Sequence, residues 1–528
     1  MRTSKDPEAF AIPEPRIRFI AHELQRLLSV VDLEVKGETV TIDGFRLKDL
    51  SQWVTYNTNT AMNALTPISS ACNSRCHFCF EENAPYAREA NSLMPLAEAR
   101  TRLKYYSPES GASLFPSSRN HMETFVHPRA VEIIGLAREK QPDKLFWITT
   151  NGSHFTEKTV EKLAALKPLI FKLSLNVADP LLNQELMGTR KGTQTAISAP
   201  RLLQKYRLPF MGSIVAWPTT PLPQIEETVR YLEACDAYAI RIRLPLSHKW
   251  LKQQLAADFH AHWERVAEFA QNLRHKVDVP LFVEPPIYWV NPILPEIDGV
   301  VKNSPAYRAG LRATDIIRQI NGKPVNTRIH SEAVLDALHL AGVDTFDMVV
   351  ERNGNMLNVR LKEELPSVDS YPYNREYFYR GENYGIFHVE DFRLHHIQKL
   401  IDVIHRYGAE NVLLFSSVIV APIFETLVSQ IPEFAEQLKE INLQVATVDS
   451  NTFGGNYDVM DSRVVADYAD VVRRHIRRGE KIDLILIPDA FGSPWGHDVF
   501  GSSYTEIAME FGIPVERIDW LLVYGREV

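Results

Sequence analysis

The sequence predicts an α/β protein of about three domains, the first large one built on a parallel sheet. The chain has 528 residues, which is too many for one hydrophobic core. Between residues 64 and 290, short apolar runs alternate with amphipathic helices, a pattern typical of repeated βα units. Hydrophobic residues at 45% and charged residues at 23% are ordinary globular values, so a folded chain is expected throughout.

The net charge of −8 argues against a general nucleic-acid-binding protein, which usually carries a basic face. No apolar run reaches the length of a membrane span, and residues 1–7 lack the apolar core of a signal peptide. With only four cysteines, a disulfide framework is not expected. Together these features predict a cytoplasmic protein with no membrane partner.

Residues 1–63 form a predicted lead-in. Apolar residues at helical spacing over 15–28 predict a helix. Two alternating runs on either side of Gly37 predict a β-hairpin.

Residues 64–290 should form the parallel-sheet domain. In such sheets, chemistry is carried by the loops at the carboxyl ends of the strands. We expect about six strands: one before Cys72, then Ala112–Phe115, Lys144–Thr150, Leu169–Asn176, Phe210–Trp217 and Tyr238–Leu244.

Three cysteines lie in one short loop directly after the first apolar run, in Cys72-Asn-Ser-Arg-Cys76-His-Phe-Cys79. So tight a loop can turn three thiolates towards one iron–sulfur cube and leave its fourth iron open. A Cys3His zinc site that includes His77 is the alternative. Zinc sites normally bring their ligands as two separated pairs, and His77 directly follows Cys76.

This spacing, with the aromatic Phe78 before the last cysteine, resembles the signature of the radical S-adenosylmethionine (radical SAM) enzymes. The resemblance implies a partial (β/α)6 barrel of TIM type and a [4Fe-4S] cluster on Cys72, Cys76 and Cys79. It also implies that the open iron binds S-adenosylmethionine (SAM), and that an electron from the cluster cleaves SAM to a 5'-deoxyadenosyl radical. A flavodoxin- or ferredoxin-type protein would supply that electron.

The resemblance extends to weaker cofactor-binding motifs. Glu123, in Asn120-His-Met-Glu-Thr-Phe-Val-His-Pro128, stands where the family places an acid that accepts the SAM amino group, although the usual glycines and proline are absent. Asn151 belongs to a Thr-Asn-Gly turn that is either a cofactor contact or simply a turn. A bond to the SAM ribose or carboxylate is predicted for Ser174, Asn176, Arg190 and Ser213.

Three other side chains have two interpretations each. Arg241 and Arg243 share one face of a strand, so they either meet anionic substrate groups inside the barrel or form salt bridges outside it. Cys235, on an amphipathic helix, is either a core residue or a hydrogen-atom donor.

Residues 291–363 resemble a PDZ domain, chiefly in Ser304-Pro-Ala-Tyr-Arg-Ala-Gly and the later Ile320-Asn-Gly-Lys-Pro-Val. PDZ domains bind a peptide as an added strand and hold its carboxylate with backbone N–H groups. The region expected to hold the carboxylate, Trp289–Leu294, has Pro292 within it and Pro295 after it. This segment is therefore either a peptide-binding module or a spacer on the barrel mouth.

Residues 364–528 predict a further α/β domain with strands at 411–420, 444–448 and 482–488. The layout resembles the DUF512-type domain that accompanies radical SAM and PDZ segments in an uncharacterised bacterial group. Polar side chains that follow its strands could frame a substrate or metal site: Asp449, Asp489, His497 and Asp498.

The sequence thus predicts a radical SAM oxidoreductase acting on a small molecule or a peptide, with the PDZ segment and the C-terminal domain closing the barrel mouth. The alternative is a PDZ-centred binding or redox-sensing scaffold whose cluster is not catalytic.

Overall fold

The computed structural model describes part of the chain. The described residues are 32–35, 38–41, 65, 68–69, 71–79, 93–106, 115, 123–189, 191–245, 259–284, 294–363, 370–374, 383–388, 394–416, 421, 424, 432–451, 454, 463–488, 498 and 502–518. Several predicted features lie outside them: the helix at 15–28, the strand at 112–115 apart from Phe115, Arg190, Asp489 and His497.

The predicted hairpin in the lead-in is confirmed. Strands β1 (Asp32–Val35) and β2 (Glu38–Thr41) pair antiparallel, with Val35 opposite Glu38.

The next domain contains a five-stranded parallel sheet whose strands neighbour one another in chain order. They are β3 (Phe146–Thr150), β4 (Leu169–Ser174), β5 (Phe210–Val215), β6 (Ala239–Arg243) and β7 (Leu281–Glu284). The first four confirm predicted strands, whereas β7 was not predicted. The strand expected before Cys72 is, among the described residues, only an isolated antiparallel bridge between Ser69 and Leu93.

Helices cover one face of this sheet. They are α1 (Leu96–Tyr105), α2 (Ala130–Lys140), α3 (Glu157–Ala164), α4 (Pro180–Met187), α5 (Thr193–Lys205), α6 (Leu222–Ala234) and α7 (Phe259–Arg274). Strand residues such as Leu173, Ile214 and Ile240 pack in one core with them. Because side chains alternate along a strand, the intervening residues lie on the opposite face, which we call the inner face.

A PDZ-like body follows, with β8 (Gly299–Val300), α8 (Pro305–Arg308), β9 (Ile316–Ile320), β10 (Lys323–Pro324), α9 (Arg328–Leu340), β11 (Thr345–Arg352) and β12 (Asn355–Lys362). Four of these strands form a sheet in the order β10-β9-β11-β12. The predicted Asn321-Gly322 turn joins β9 to β10, and both residues have the positive φ that such tight turns require.

The partner of β8 comes from far along the chain. Strand β13 (Ile386–Phe387) pairs antiparallel with β8, so the PDZ-like body draws on residues beyond the predicted boundary at 363. Tyr384 and Gly385, just before it, have φ of 62° and 79°. A Cβ on Gly385 would lie 2.0 Å from the Cβ of Ser304, so only glycine fits there. Of the predicted region for the carboxylate loop, Trp289–Leu294, residues 289–293 lie outside the described residues.

The PDZ-like body packs against the inner face of the sheet, at the amino ends of its strands. Val301 and Phe387, with Tyr373, are buried in one cluster with inner-face residues at the amino ends of the strands, such as Ile170 and Met211. We expected this segment to close the barrel mouth, at the carboxyl ends of the strands. The described contacts correct this expectation, because they lie at the amino ends instead. These contacts bury apolar inner-face residues at the amino ends, which would otherwise be exposed to water.

The last domain is a four-stranded parallel sheet in the order β15-β14-β16-β17. Its strands are β14 (Asn411–Ser416), β15 (Asn442–Thr447), β16 (Leu484–Pro488) and β17 (Val515–Ile518). Its helices are α10 (Leu394–Tyr407), α11 (Pro432–Leu438), α12 (Val465–Arg477) and α13 (Thr505–Phe511). Across the described ranges, no helix has both the length and the apolar composition of a membrane span.

Candidate cofactor site

The cysteine loop is held on the carboxyl end of α4. The backbone N–H of Arg75 donates to Met187 O at 2.9 Å, and that of His77 donates to Leu186 O at 3.0 Å. Carbonyls in the last turn of a helix lack partners within the helix, so the loop satisfies two of them. Gly188 ends the helix with φ of 57°, and a Cβ there would lie 2.4 Å from Arg75 O. The glycine thus permits the close approach of the loop.

A second set of bonds ties the loop to the end of β3. Asn151 Nδ2 donates to Asn73 Oδ1 at 3.1 Å and to Ser74 Oγ at 3.3 Å. Asn73 Nδ2 in turn donates to Ser153 Oγ at 2.9 Å. The Thr-Asn-Gly turn therefore positions the cysteine loop. The sequence pointed to Asn151 but not to Asn73 or Ser153, whose partners are about eighty positions away in the chain.

The three thiols belong to this one loop. Burial raises the pKa of the Cys76 thiol well above its usual value, and the neighbouring thiols of Cys79 and Cys72 raise it further. Three cysteine thiolates can bind three irons of an iron–sulfur cube and leave its fourth iron open. In the parts of the chain described above, no three Cys, His, Asp or Glu side chains are already gathered around one metal position. We therefore expect the thiols to turn inward as the cluster binds.

Glu123 is a buried brace beneath this loop. Its side chain accepts bonds from Thr150 Oγ1 at 2.7 Å, from the Asn151 N–H at 2.7 Å and from the Phe125 N–H at 3.1 Å. Its own N–H donates to Ala71 O, one residue before Cys72. Burial raises the pKa of the Glu123 carboxyl above its usual value, although the three bonds act against it. With 1% of its surface exposed, Glu123 holds the turn in place, and its role as acceptor for the SAM amino group stays a prediction.

Replacing Glu123 with glutamine should weaken this brace. The amide has one acceptor oxygen, so its NH2 group would face at least one backbone N–H that the carboxylate now satisfies. A buried donor without an acceptor costs about 1–3 kcal/mol, and we expect that loss in the free energy of unfolding measured by denaturant titration. Iron bound per chain should also fall, because Asn151 no longer fixes Asn73 and Ser74.

Glu132→Gln is the matched control for Glu123→Gln. Glu132 forms an exposed i,i+3 ion pair with Arg129, so its loss should change the free energy of unfolding by less than about 0.5 kcal/mol. Unchanged stability and iron content in Glu123→Gln, together with weaker SAM binding, would instead support the predicted direct contact with the SAM amino group.

Asn176 and Phe78 connect the loop to β4 and β5. Asn176 Oδ1 accepts from the Val215 N–H at 2.6 Å, and its Nδ2 lies 3.2 Å from Met187 Sδ. Met187 Sδ is also 3.7 Å from Cys76 Sγ, so Asn176 is linked to the cysteine loop through one side chain. The ring of Phe78 packs at 6.5 Å from the buried Trp217.

Polar groups continue across the inner face. Ser174 lies opposite Ser213, and Ser213 lies opposite Arg241. Ser213 Oγ accepts from Arg241 Nε at 3.1 Å. Arg241 and Arg243 both form ion pairs with Glu284 on β7, at 2.8 and 3.1 Å. Both arginines therefore lie on the inner face, as one of the two interpretations expected, but the anion they meet in the described part of the chain is the carboxylate of Glu284.

Cys235 lies elsewhere. It follows the last residue of α6 and is buried in the core between helices and sheet, beside Tyr231 and Arg201. This position corrects the hydrogen-donor hypothesis, because the thiol is on the helix-covered side of the sheet and the cysteine loop contacts the inner-face residue Asn176 through Met187.

The candidate site in the C-terminal domain is described in part. Asp449 lines a cavity of about 350 Å³ together with Asn451, Asp467 and arginines of α12. Asp498 accepts bonds from the backbone N–H groups of Val465 and Ser502, at 2.8 and 3.0 Å. Its carboxylate therefore caps the start of α12 rather than facing Asp449.

Comparisons with known proteins agree with the geometry. Residues 66–232 match the model of the radical SAM superfamily, and residues 296–352 match that of the PDZ domain. A search of curated protein sequences finds no match.

Solved structures that resemble part of the chain include Streptococcus suis SuiB bound to S-adenosylmethionine. It is 21% identical, with a TM-score of 0.34, over 41% of this chain and 48% of SuiB. TYW1 with a lysine-pyruvate adduct is 17% identical, with a TM-score of 0.28, over 39% of this chain and 70% of that one. Methylornithine synthase is 13% identical, with a TM-score of 0.28, over 42% of this chain and 70% of that one.

The two family models identify which segments of the chain correspond to known domains. The radical SAM match includes all three cysteines of the loop and β3 to β5, and it ends within α6. The family implies an iron–sulfur cluster and SAM as cofactors. The chain carries a radical SAM domain followed by a PDZ domain.

Proposed function

We propose that Cys72, Cys76 and Cys79 hold one [4Fe-4S] cluster and that the chain uses it to cleave SAM reductively. The observation that carries this proposal is the clamped cysteine loop. Two backbone bonds fix it to α4, and the Asn151 amide fixes it to β3, at the carboxyl end of a parallel sheet. That end is where enzymes built on such sheets place their chemistry.

Each remaining residue of the site has a proposed task. When bound, the cluster supplies the electron that converts SAM to methionine and a radical able to abstract hydrogen from an unactivated carbon. Ser174 and Ser213 present hydroxyl groups to the SAM ribose from adjacent strands. Asn176 sets the distance between Met187 and β5, and Phe78 with Trp217 forms an apolar wall beside the loop. The role of Arg190 as carboxylate partner stays a prediction.

The wider context is proposed on chemical grounds. The four cysteines form no disulfide in the described part of the chain, a state that suits the reducing cytoplasm, and an external flavodoxin- or ferredoxin-type protein would supply electrons. The PDZ family match supports peptide binding at this domain, because such domains bind a peptide by adding a strand. A DUF512-type role for the C-terminal domain rests on its sequence pattern alone.

Anaerobic reconstitution tests the proposal. Full-length protein loaded with iron and sulfide, reduced with dithionite and given SAM, should release 5'-deoxyadenosine and methionine, which chromatography with mass detection can quantify. Omission of dithionite is the control and should give no product. A loaded cluster that leaves SAM intact under reducing conditions would support the redox-sensing scaffold instead.

A further inference from the structure

Four charged residues lie together on the inner face, in the carboxyl half of the strands. Arg241 and Arg243 are on β6, Glu284 is on β7, and the register places Arg243 directly opposite Glu284. Lys172 is on β4, on the same face as Ser174, and its ammonium lies 5.6 Å from the centre of the Trp147 ring. We call Lys172, Arg241, Arg243 and Glu284 the inner charge cluster. The mechanism proposed above does not use it.

The cluster contains three cations and one carboxylate. Arg241 and Lys172 are almost fully buried, with relative exposures of 5% and 2%. Burying a cation is costly unless an anion or hydrogen-bond acceptor accompanies it. Burial would raise the pKa of Glu284, but Arg241, Arg243 and Lys172 lower it to about 2, so this carboxylate is ionised at neutral pH. Within the described part of the chain, Arg241 and Arg243 share the single carboxylate of Glu284 as their ion-pair partner.

Arg241 also keeps hydrogen-bonding capacity. Its Nε donates to Ser213 and its Nη1 donates to Glu284. A guanidinium has five N–H donors, and in the described part of the chain its Nη2 makes no hydrogen bond. Arg243 is the outer member, with 34% of its side chain exposed. The cluster therefore has both unused donors and an open side.

Most of the cofactor residues lie away from the cluster, although Ser213, which is proposed to face the SAM ribose, contacts Arg241 directly. The cysteine loop is bonded to the ends of β3 and α4, and through Met187 it reaches Asn176 after β4. Strands β6 and β7 are the second and third neighbours of β4, about 10 and 14 Å along the sheet. That is a suitable separation for a substrate lying beside SAM.

We propose that Arg241 and Arg243 bind an anionic group of the substrate, a carboxylate or a phosphate. Guanidinium groups suit this task because their planar donors match both oxyanions. Glu284 orients the two arginines. It also limits their affinity for the substrate anion, because it already accepts some of their N–H donors. This assignment rests on the proposed function, because the bound anion is part of a substrate only if the chain catalyses a reaction.

Isothermal titration of the cluster-free full-length protein with inorganic phosphate, and separately with succinate, tests the binding step at low ionic strength. Arg243→Gln and Arg241→Gln should each weaken binding of the probe about tenfold, the effect typical of one charge-assisted bond. Glu284→Gln should instead strengthen it, about threefold or more, because the local positive charge rises. Arg230→Gln, which breaks an exposed pair with Glu226 on α6, is the control and should bind like the wild type.

Three outcomes would overturn the inference. The first is no saturable binding of either probe by the wild type. The second is equal affinity in all variants, which would place the anion elsewhere. The third is a loss of SAM binding by reconstituted Arg243→Gln as large as its loss of phosphate binding, which would assign the site to the SAM carboxylate. Because the titration uses cluster-free protein, its failure is distinct from a failure to cleave SAM.

Discussion

Replacement of Cys76 by alanine should abolish SAM cleavage. Cys76 is the middle thiol of the loop, flanked by the bonds from Arg75 and His77 to the end of α4. With two thiolates left, a cube loses one of its three protein ligands, and iron content should fall from about four per chain to well below one. Release of 5'-deoxyadenosine should drop by about a thousandfold or more, to the level of protein without iron. Iron analysis and product chromatography measure both effects.

Cys235→Ala is the matched control for the cysteine prediction. Its thiol is buried on the helix-covered side of the sheet, so this variant should keep its iron and its product release. A Cys76→Ala protein with full iron content would show that another side chain binds the metal. Loss of activity in Cys235→Ala with iron retained would restore the hydrogen-donor hypothesis.

Gly188→Ala should have the next largest effect, although residue 188 binds no cofactor. A methyl group at that position would lie 2.4 Å from Arg75 O and 2.9 Å from Arg75 C, both backbone atoms of the cysteine loop. The loop must move, and the bonds from Arg75 and His77 to α4 would lengthen. We expect iron content to fall at least severalfold, and the free energy of unfolding to fall by about 2–4 kcal/mol from strain and overpacking together.

Gly408→Ala separates the clash from the backbone strain. Gly408 follows helix α10 with the same φ of 57°, but a Cβ there meets nothing within 4 Å. This variant should lose only about 1 kcal/mol, the usual cost of alanine in the left-handed region, and should bind iron normally. Equal losses in the two variants would show that the contact between Gly188 and the loop does not position the cysteines.

Features encoded within a few residues could be predicted from the sequence. The spacing of Cys72, Cys76 and Cys79 marks a metal-binding loop without any knowledge of the fold. Alternation along β4 and β6 placed Ser174 on the face of Asn176 and Arg241 on that of Arg243. The same alternation groups Lys172 with Ser174, so the sequence contained this signal as well. The Asn321-Gly322 turn required only two residues.

Features that depend on distant partners could not be predicted. Gly188 reads as an ordinary helix-ending glycine until Arg75 is placed against it. Glu123 stood out as a carboxylate near the cofactor, but its bonds to Thr150 and Asn151 depend on the approach of β3. Strand β13 has two residues and pairs with β8 more than eighty positions earlier. So short a strand has no periodicity of its own.

The central claim is that one iron of a cube held by Cys72, Cys76 and Cys79 is left open for SAM. Electron paramagnetic resonance of the reconstituted, dithionite-reduced protein, recorded with and without SAM, tests it most directly. The account predicts a [4Fe-4S] signal whose g values shift when SAM is added, because the ligand enters the coordination sphere of that iron. A zinc-loaded protein, or an iron–sulfur signal that SAM leaves unchanged, would contradict it.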